Sequence, residues 1–316
     1  MNTLSIPPFF TRSMPRLLGL VALMGGLAGA LLSNPVQAID KWDYKLDLDY
    51  GMRYDQLSWN IAGNLAGTGP NVISELKWSN VGFHQTRLGF RFIGDDRWYV
   101  KGYTSNGWGF TGSNQDSDYN DDNRTSEFSR STADADRSSA EDFSIALGQQ
   151  IRIDERIGIT PLVGFSNHRQ HFTMTNGQQT VCDPCSNGLG PIPGLNSSFK
   201  THWRGPWLGL DLRMATAKRW TTYAELEYHY SYYDAKASDF SMEQSARGRG
   251  THMGLGLSYA LSTPNSFFNI GFKQSRYATR AGTHNFYLAN GTVASQRLNN
   301  VDWSSSMITI GITSQY

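Results

Sequence analysis

Trp42-Asp-Tyr44-Lys-Leu46-Asp-Leu48-Asp-Tyr50-Gly-Met52-Arg-Tyr54-Asp55 alternates between apolar and polar side chains without a break. Successive residues of an extended strand point to opposite faces. The period of two therefore puts Tyr44, Leu46, Leu48, Tyr50, Met52 and Tyr54 on one face and nearly every charge on the other. The run is long and its apolar face is rich in aromatics. A strand tilted across a bilayer needs about 9–11 residues, and this one has them.

The same alternation recurs. Leu208, Leu210, Leu212 and Met214 alternate with Gly209, Asp211 and Arg213. Trp220, Ala224, Leu226, Tyr228, Tyr230 and Tyr232 alternate with Thr221, Tyr223, Glu225, Glu227 and His229. Met253, Leu255, Leu257, Tyr259 and Leu261 alternate with small residues. Ile308, Ile310 and Ile312 lead to the terminal aromatic Tyr316, with Ser314 as a departure. Charges on the second face of three such strands predict a polar lumen. Composition agrees: 39% of residues are hydrophobic, yet 13% are aromatic and 32 are glycine. In a membrane barrel only alternate residues meet lipid, and Trp and Tyr gather at the interfaces. Lys+Arg 28 against Asp+Glu 27 gives a net charge of +1, which offers nothing to a nucleic-acid partner.

Tight turns are expected near Gly94–Arg97, Asp154–Arg156, Ala215–Arg219 and Ser262–Asn265, with long polar loops near 56–71, 105–141, 173–201, 234–250 and 279–300. Four short turns and five long loops make ten strands with both ends on the periplasmic side. Backbone groups in lipid have no water to bond, so the sheet must close on itself. The fold class expected is all-β, a ten-stranded antiparallel transmembrane β-barrel of the outer membrane of a Gram-negative bacterium.

The N-terminus reads as a signal peptide. Arg12 and Arg16 precede an apolar and small-residue core from Leu17 to Leu32, and Val36-Gln37-Ala38 resembles a cleavage site. Residues 1–38 are assigned to it and 39–316 to one barrel domain. Export favours a local disulfide between the two cysteines, Cys182 and Cys185, over a redox centre. The pair lacks the further ligands that zinc would need, and no metal is expected.

Several stretches resemble the omptins, ten-stranded outer-membrane proteases. Ile73-Ser-Glu-Leu-Lys-Trp78 through Lys101-Gly-Tyr-Thr104 is similar to the second and third strands of that family. Asp116-Ser-Asp118-Tyr-Asn-Asp121 resembles its catalytic Asp-x-Asp loop in composition and place. Gly164-Phe165-Ser-Asn-His-Arg169, Trp203-Arg-Gly-Pro-Trp-Leu-Gly-Leu210 and Thr263-Pro264-Asn265 resemble later strands and the last periplasmic turn. Arg53-Tyr-Asp-Gln-Leu-Ser-Trp-Asn-Ile-Ala-Gly63 is not an omptin feature and resembles a divergent group of omptin-like barrels.

The resemblance implies a water activated between an aspartate pair and an Asp–His dyad on the facing wall. Asp116 and Asp118, at i and i+2, match the pair. The dyad position reads Asp234-Ala-Lys-Ala-Ser-Asp239, so Asp234 or Asp239 supplies an aspartate while the imidazole is missing. Losing a positioned general base costs ~10²–10⁴-fold in rate. His229, with lumen-facing parity, and His252 are the histidines nearest in sequence. The function expected is that of a binding or adhesive surface protein with weak or absent proteolysis. An aspartic endopeptidase using Asp116 and Asp118 is the alternative, and a small-solute channel the third reading. The resemblance also implies contact with lipopolysaccharide on the outer wall, at Arg169, His202 and Arg204. No other cofactor is expected. The expected partners are membrane lipid and an extracellular peptide or host ligand at the loops, met by a monomer.

Overall fold

Strand alternation carries through to the architecture. The computed structural model describes residues 42–94, 97–184, 188–238, 241–288 and 290–316. The expected signal segment 1–38 lies outside them, as do Cys185 and Asp239. The strands are β1 (Trp42–Ile61), β2 (Ser74–Gly94), β3 (Trp98–Asp121), β4 (Thr125–Asp134), β5 (Ser139–Gln149), β6 (Ile151–Arg152), β7 (Ile157–Cys182), β8 (Gly190–Pro191), β9 (Asn196–Ala217), β10 (Trp220–Ala237), β11 (Met242–Ala260), β12 (Ser266–Thr279), β13 (Gly282–Tyr287) and β14 (Val293–Gln315). All pair antiparallel. β4 and β5 are two lengths of one wall strand, both lying between β3 and β7, and β12 and β13 are likewise two lengths of another between β11 and β14. With the two-residue β6 and β8 set aside, ten strands form the ring. Closure runs between β1 and β14, from Lys45 opposite Gln315 to Ile61 opposite Leu298.

The outer belt is the one anticipated. Tyr50, Met52 and Tyr54, Leu208, Leu210 and Leu212, Leu255 and Leu257, and Ile308, Ile310 and Ile312 are all exposed. In a soluble protein such a surface would aggregate; against lipid it costs nothing.

The long polar stretches differ from the expectation of loops. β3 continues to Asp121, turns through a 3-10 segment at Asp122–Arg124, and returns as β4 from Thr125. β7 continues to Cys182, and β10 runs to Ala237 with β11 starting already at Met242, which leaves no room for a long loop. The physical reason is that above the bilayer the outer face of each strand meets water. Pairing goes on there, but the apolar half of the alternation is lost.

Two breaks in regularity set which side chains point inward above the bilayer. The pairing of β2 with β3 slips between Ser79 and Phe83. On β3, Gly109 lies so close to the chain linking β4 and β5 that an added Cβ would stand 2.6 Å from the Ser138 carbonyl oxygen. Gly112 follows at φ +145°, a conformation suited to glycine. Below this bulge Trp108 is exposed on the outer wall; above it Asn114 is buried opposite Trp78. The inward parity has changed from odd to even numbers.

The interior has two layers. The lower one is ionic: Arg91 meets Asp47 at 2.5 Å, Arg87 meets Asp49 at 3.1 Å, and Lys101 lies 2.8 Å from Asp211 and 3.3 Å from Glu227. The upper layer is apolar. Trp59, Trp78, Phe172, Phe199, Trp203 and Tyr233 are each at most 2% exposed and belong to one cluster.

Candidate functional site

The parity change on β3 turns Asp116 and Asp118 inward. Asp116 stands opposite the buried Leu76 and Asp118 opposite Ser74. Asp116 Oδ1 is shut off from solvent with no hydrogen-bond partner among the described residues. Burial, reinforced by the Asp118 charge, pushes the Asp116 carboxyl up to about 8, so it holds a proton at neutral pH. Burial also raises Asp118, against hydrogen bonds from the Ser74 and Ser129 hydroxyls that favour its charged form.

The facing wall is arranged differently. On β10, Tyr233 and Ala235 are buried while Tyr232 and Lys236 are exposed, and Asp234 has the outward parity. Its carboxylate meets His202 Nδ1 and Arg204 Nη2, each at 3.2 Å, on the outside of the barrel. The structure thus does not bring Asp234 together with Asp116 and Asp118. Between the two walls lies the aromatic layer. Trp78 stacks on Phe172 and Phe199 with centroids 5.3 and 5.2 Å apart, and Trp203 packs on Tyr233 at 4.6 Å. A peptide would have to displace these rings to lie between the aspartates.

The residues expected to touch lipopolysaccharide are outside as well, and each has a carboxylate of its own chain. Arg169 lies 3.9 Å from Glu141, and His202 and Arg204 share Asp234.

An imidazole–carboxylate pair does exist, lower in the lumen and in residues the sequence had not singled out. His168 Nδ1 lies 2.9 Å from Asp142 Oδ1, and Asp142 Oδ2 accepts from Arg53 at 2.8 Å and from the Ser105 hydroxyl at 2.9 Å. The signal was available. Phe143, Ile145 and Leu147 alternate with Asp142, Ser144 and Ala146, which places Asp142 on an inward face rather than in an acidic loop. His229 is buried as its parity implied, with Nδ1 3.1 Å from Ser166 Oγ and Nε2 3.2 Å from Glu227. His252 Nδ1 meets Ser275 Oγ at 2.9 Å. Both histidines belong to the lumen network rather than to the mouth. A cavity of ≈ 40 Å³ is lined by His168 and His252, and another of ≈ 50 Å³ lies among Arg87, Lys101 and Glu225, room for about one or two waters each.

Comparison with known proteins fits this geometry. The outer membrane protease OmpT of Escherichia coli is similar in structure, with a TM-score of 0.70 at 14% identity over 87% of this chain and 97% of that one. At that identity the likeness bears on the fold alone. The translocator domain of the autotransporter NalP from Neisseria meningitidis (TM-score 0.34, 11% identity, 95% and 96% covered) is too distant to bear on it. The same holds for OprG of Pseudomonas aeruginosa (TM-score 0.33, 11% identity, 87% and 95% covered). No curated protein matches the sequence. The family model described as Protochlamydia outer membrane protein matches residues 47–316. With its closed ring, lipid-facing belt and charged lumen, this outer-membrane chain belongs to the Protochlamydia outer membrane protein family.

Proposed function

We propose that this barrel is a binding or adhesive surface protein, working through the outside and rim of its extracellular hairpins, with weak or absent proteolysis. The observation that carries this reading is the aromatic layer. Trp59, Trp78, Phe172, Phe199 and Trp203 occupy the space between the two acidic walls and make the extracellular part a filled post. Asp116 with a retained proton is a poor base, and Asp234 looks away from it. The hairpins present Ser, Asp, Asn and Thr on a rigid base, a surface suited to hydrogen-bonded ligands. The partners proposed are an extracellular peptide or host ligand at the rim, and lipopolysaccharide on the wall.

The test is to fold the mature chain in detergent, add lipopolysaccharide and incubate it with a mixed peptide library, beside an Asp116→Asn/Asp118→Asn variant. No cleavage by either folded protein supports the proposal. Cleavage by the wild type that vanishes in the variant would make the chain an aspartic endopeptidase. Conductance in planar bilayers separates the third reading. The salt bridges across the lumen support a closed barrel, and steady single-channel steps from the wild type would make it a small-solute channel instead.

A further inference from the structure

The outer wall of β10, β11 and β12 carries four arginines just above the apolar belt. Arg276 on β12 is opposite Thr251, which in turn faces Tyr228 on β10. One row higher, Arg249 on β11 is opposite Tyr230. A further row up, Arg247 faces Tyr232, and the Arg280 backbone N–H donates to the Arg247 carbonyl. All four side chains are exposed. Rows two residues apart on a strand are about 7 Å apart, so the arginines form one patch. Directly below lie Leu226, Met253, Leu255 and Phe272 of the lipid-facing belt.

Like charges on neighbouring strands repel, and no ion pair among the described residues offsets them here. Among the described residues none of the four has an ion pair. The acid on the next strand, Asp302, faces Ala278 and accepts a hydrogen bond from Asn300. Elsewhere on the wall the opposite holds, since Arg169 and Arg204 meet Glu141 and Asp234. Two hollows of ≈ 580 and ≈ 590 Å³ open beside the patch, both bordered by Arg249 and Ala278, one reaching Arg276 and Tyr228 and the other Arg247, Arg280 and Tyr232.

We propose that this wall is a binding site for the phosphate groups of an outer-leaflet amphiphile, whose acyl chains lie on the belt below. Guanidinium forks suit phosphate oxygens and keep their charge at any physiological pH. The neighbouring tyrosines supply flat sides for the sugar or glycerol part. The occupant is a lipid rather than a free anion because the patch is continuous with the apolar belt, and a soluble anion would gain nothing from that continuity. The site is distinct from the hairpin rim of the proposed function and from Arg169, His202 and Arg204, and it stands whether or not the rim binds a ligand.

The test is native mass spectrometry of the refolded mature barrel in detergent, titrated with dioleoyl phosphatidic acid, dioleoyl phosphatidylcholine or inorganic phosphate. Wild type is compared with Arg249→Gln/Arg276→Gln, Arg249→Lys/Arg276→Lys and Arg152→Gln/Arg156→Gln, each first shown to be folded by its heat-modifiable migration on gels. The expected result is a preference for phosphatidic acid that falls by about tenfold or more in the first variant. The lysine variant should retain most of it, and the Arg152/Arg156 variant should lose less than about twofold, since those exposed side chains lie near the β6–β7 turn at the other end of the barrel. Equal retention of both lipids by the wild type would overturn the proposal. So would competition by inorganic phosphate at the lipid's own concentration, or a loss confined to the Arg152/Arg156 variant.

Discussion

Arg53 Nη1 donates to Asp142 Oδ2 across the lumen at 2.8 Å, joining β1 to β5. The same guanidinium grips both oxygens of Asp55 at 2.7 Å, and all three groups are less than a tenth exposed. A single arginine thus pairs with two buried carboxylates, and one of those carboxylates orients His168.

Removing one partner from such a network leaves buried charge uncompensated, which costs ~3–5 kcal/mol. Arg53→Ala is expected to lower stability by that order in urea unfolding from lipid vesicles, because it strands Asp55 and Asp142 together. A triple change, Arg53→Met with Asp55→Leu and Asp142→Leu, should recover most of the loss. A single variant as stable as the wild type would show that water already solvates these carboxylates.

Trp203 is fully buried and touches Tyr233, Tyr277 and Trp303 with ring centroids 4.6, 5.5 and 6.1 Å away. Trp203→Ala should destabilise the barrel by ~3–5 kcal/mol, the usual cost of a large aromatic cavity. If the rings form a packed post, the extracellular hairpins of this variant should also become cut sooner in limited proteolysis.

Asp116 gives a pH dependence whose sign is fixed by its direction of shift. Its folded-state value of about 8 lies above the ordinary 3.8. The folded state therefore binds the extra proton between those values, and stability from this group is complete below about 4 and lost as pH rises through 8. Thermal unfolding followed from pH 5 to pH 9 should show a decline in the wild type that is smaller in Asp116→Asn. The variant should melt higher than the wild type at pH 9. Parallel profiles for the two proteins would place the carboxyl in contact with solvent.

Asp234 pairs with His202 and Arg204 on the outer wall, where ion pairs are worth ~0–1 kcal/mol. Asp234→Asn should shift the unfolding midpoint little and leave any trace peptide cleavage unchanged. A large loss of cleavage in Asp234→Asn alone would mean that this side chain reaches the mouth in solution.

Much of the fold was legible because lipid enforces a local rule. Every second residue of Tyr44–Tyr54, Leu208–Met214 and Ile308–Ile312 had to be apolar, and the period of two is visible without knowing any partner. The same parity gave the inward charges Asp47, Asp49, Arg53, Asp211, Glu225 and Glu227, and the buried His229. It failed above the bilayer, where water on the outer face removes the constraint. There the hairpins of β3 with β4 and β10 with β11 looked like loops.

What the sequence determined, then, was the closed ring, its lipid-facing belt and its charged interior, all set by side-chain alternation within single strands. The tertiary structure decided the rest. The bulge near Gly109 and Gly112 reverses parity on β3 and sends Asp116 inward, while unbroken parity on β10 sends Asp234 outward. Closure of β1 on β14 brings Trp59, Trp78, Phe199 and Trp203 into one apolar layer from distant parts of the chain. It also lets Arg53 find Asp142, and gathers Arg247, Arg249, Arg276 and Arg280 on one wall, none of them in an ion pair among the described residues. These relations depend on register between strands, and register is a property of pairs of segments that no single segment carries.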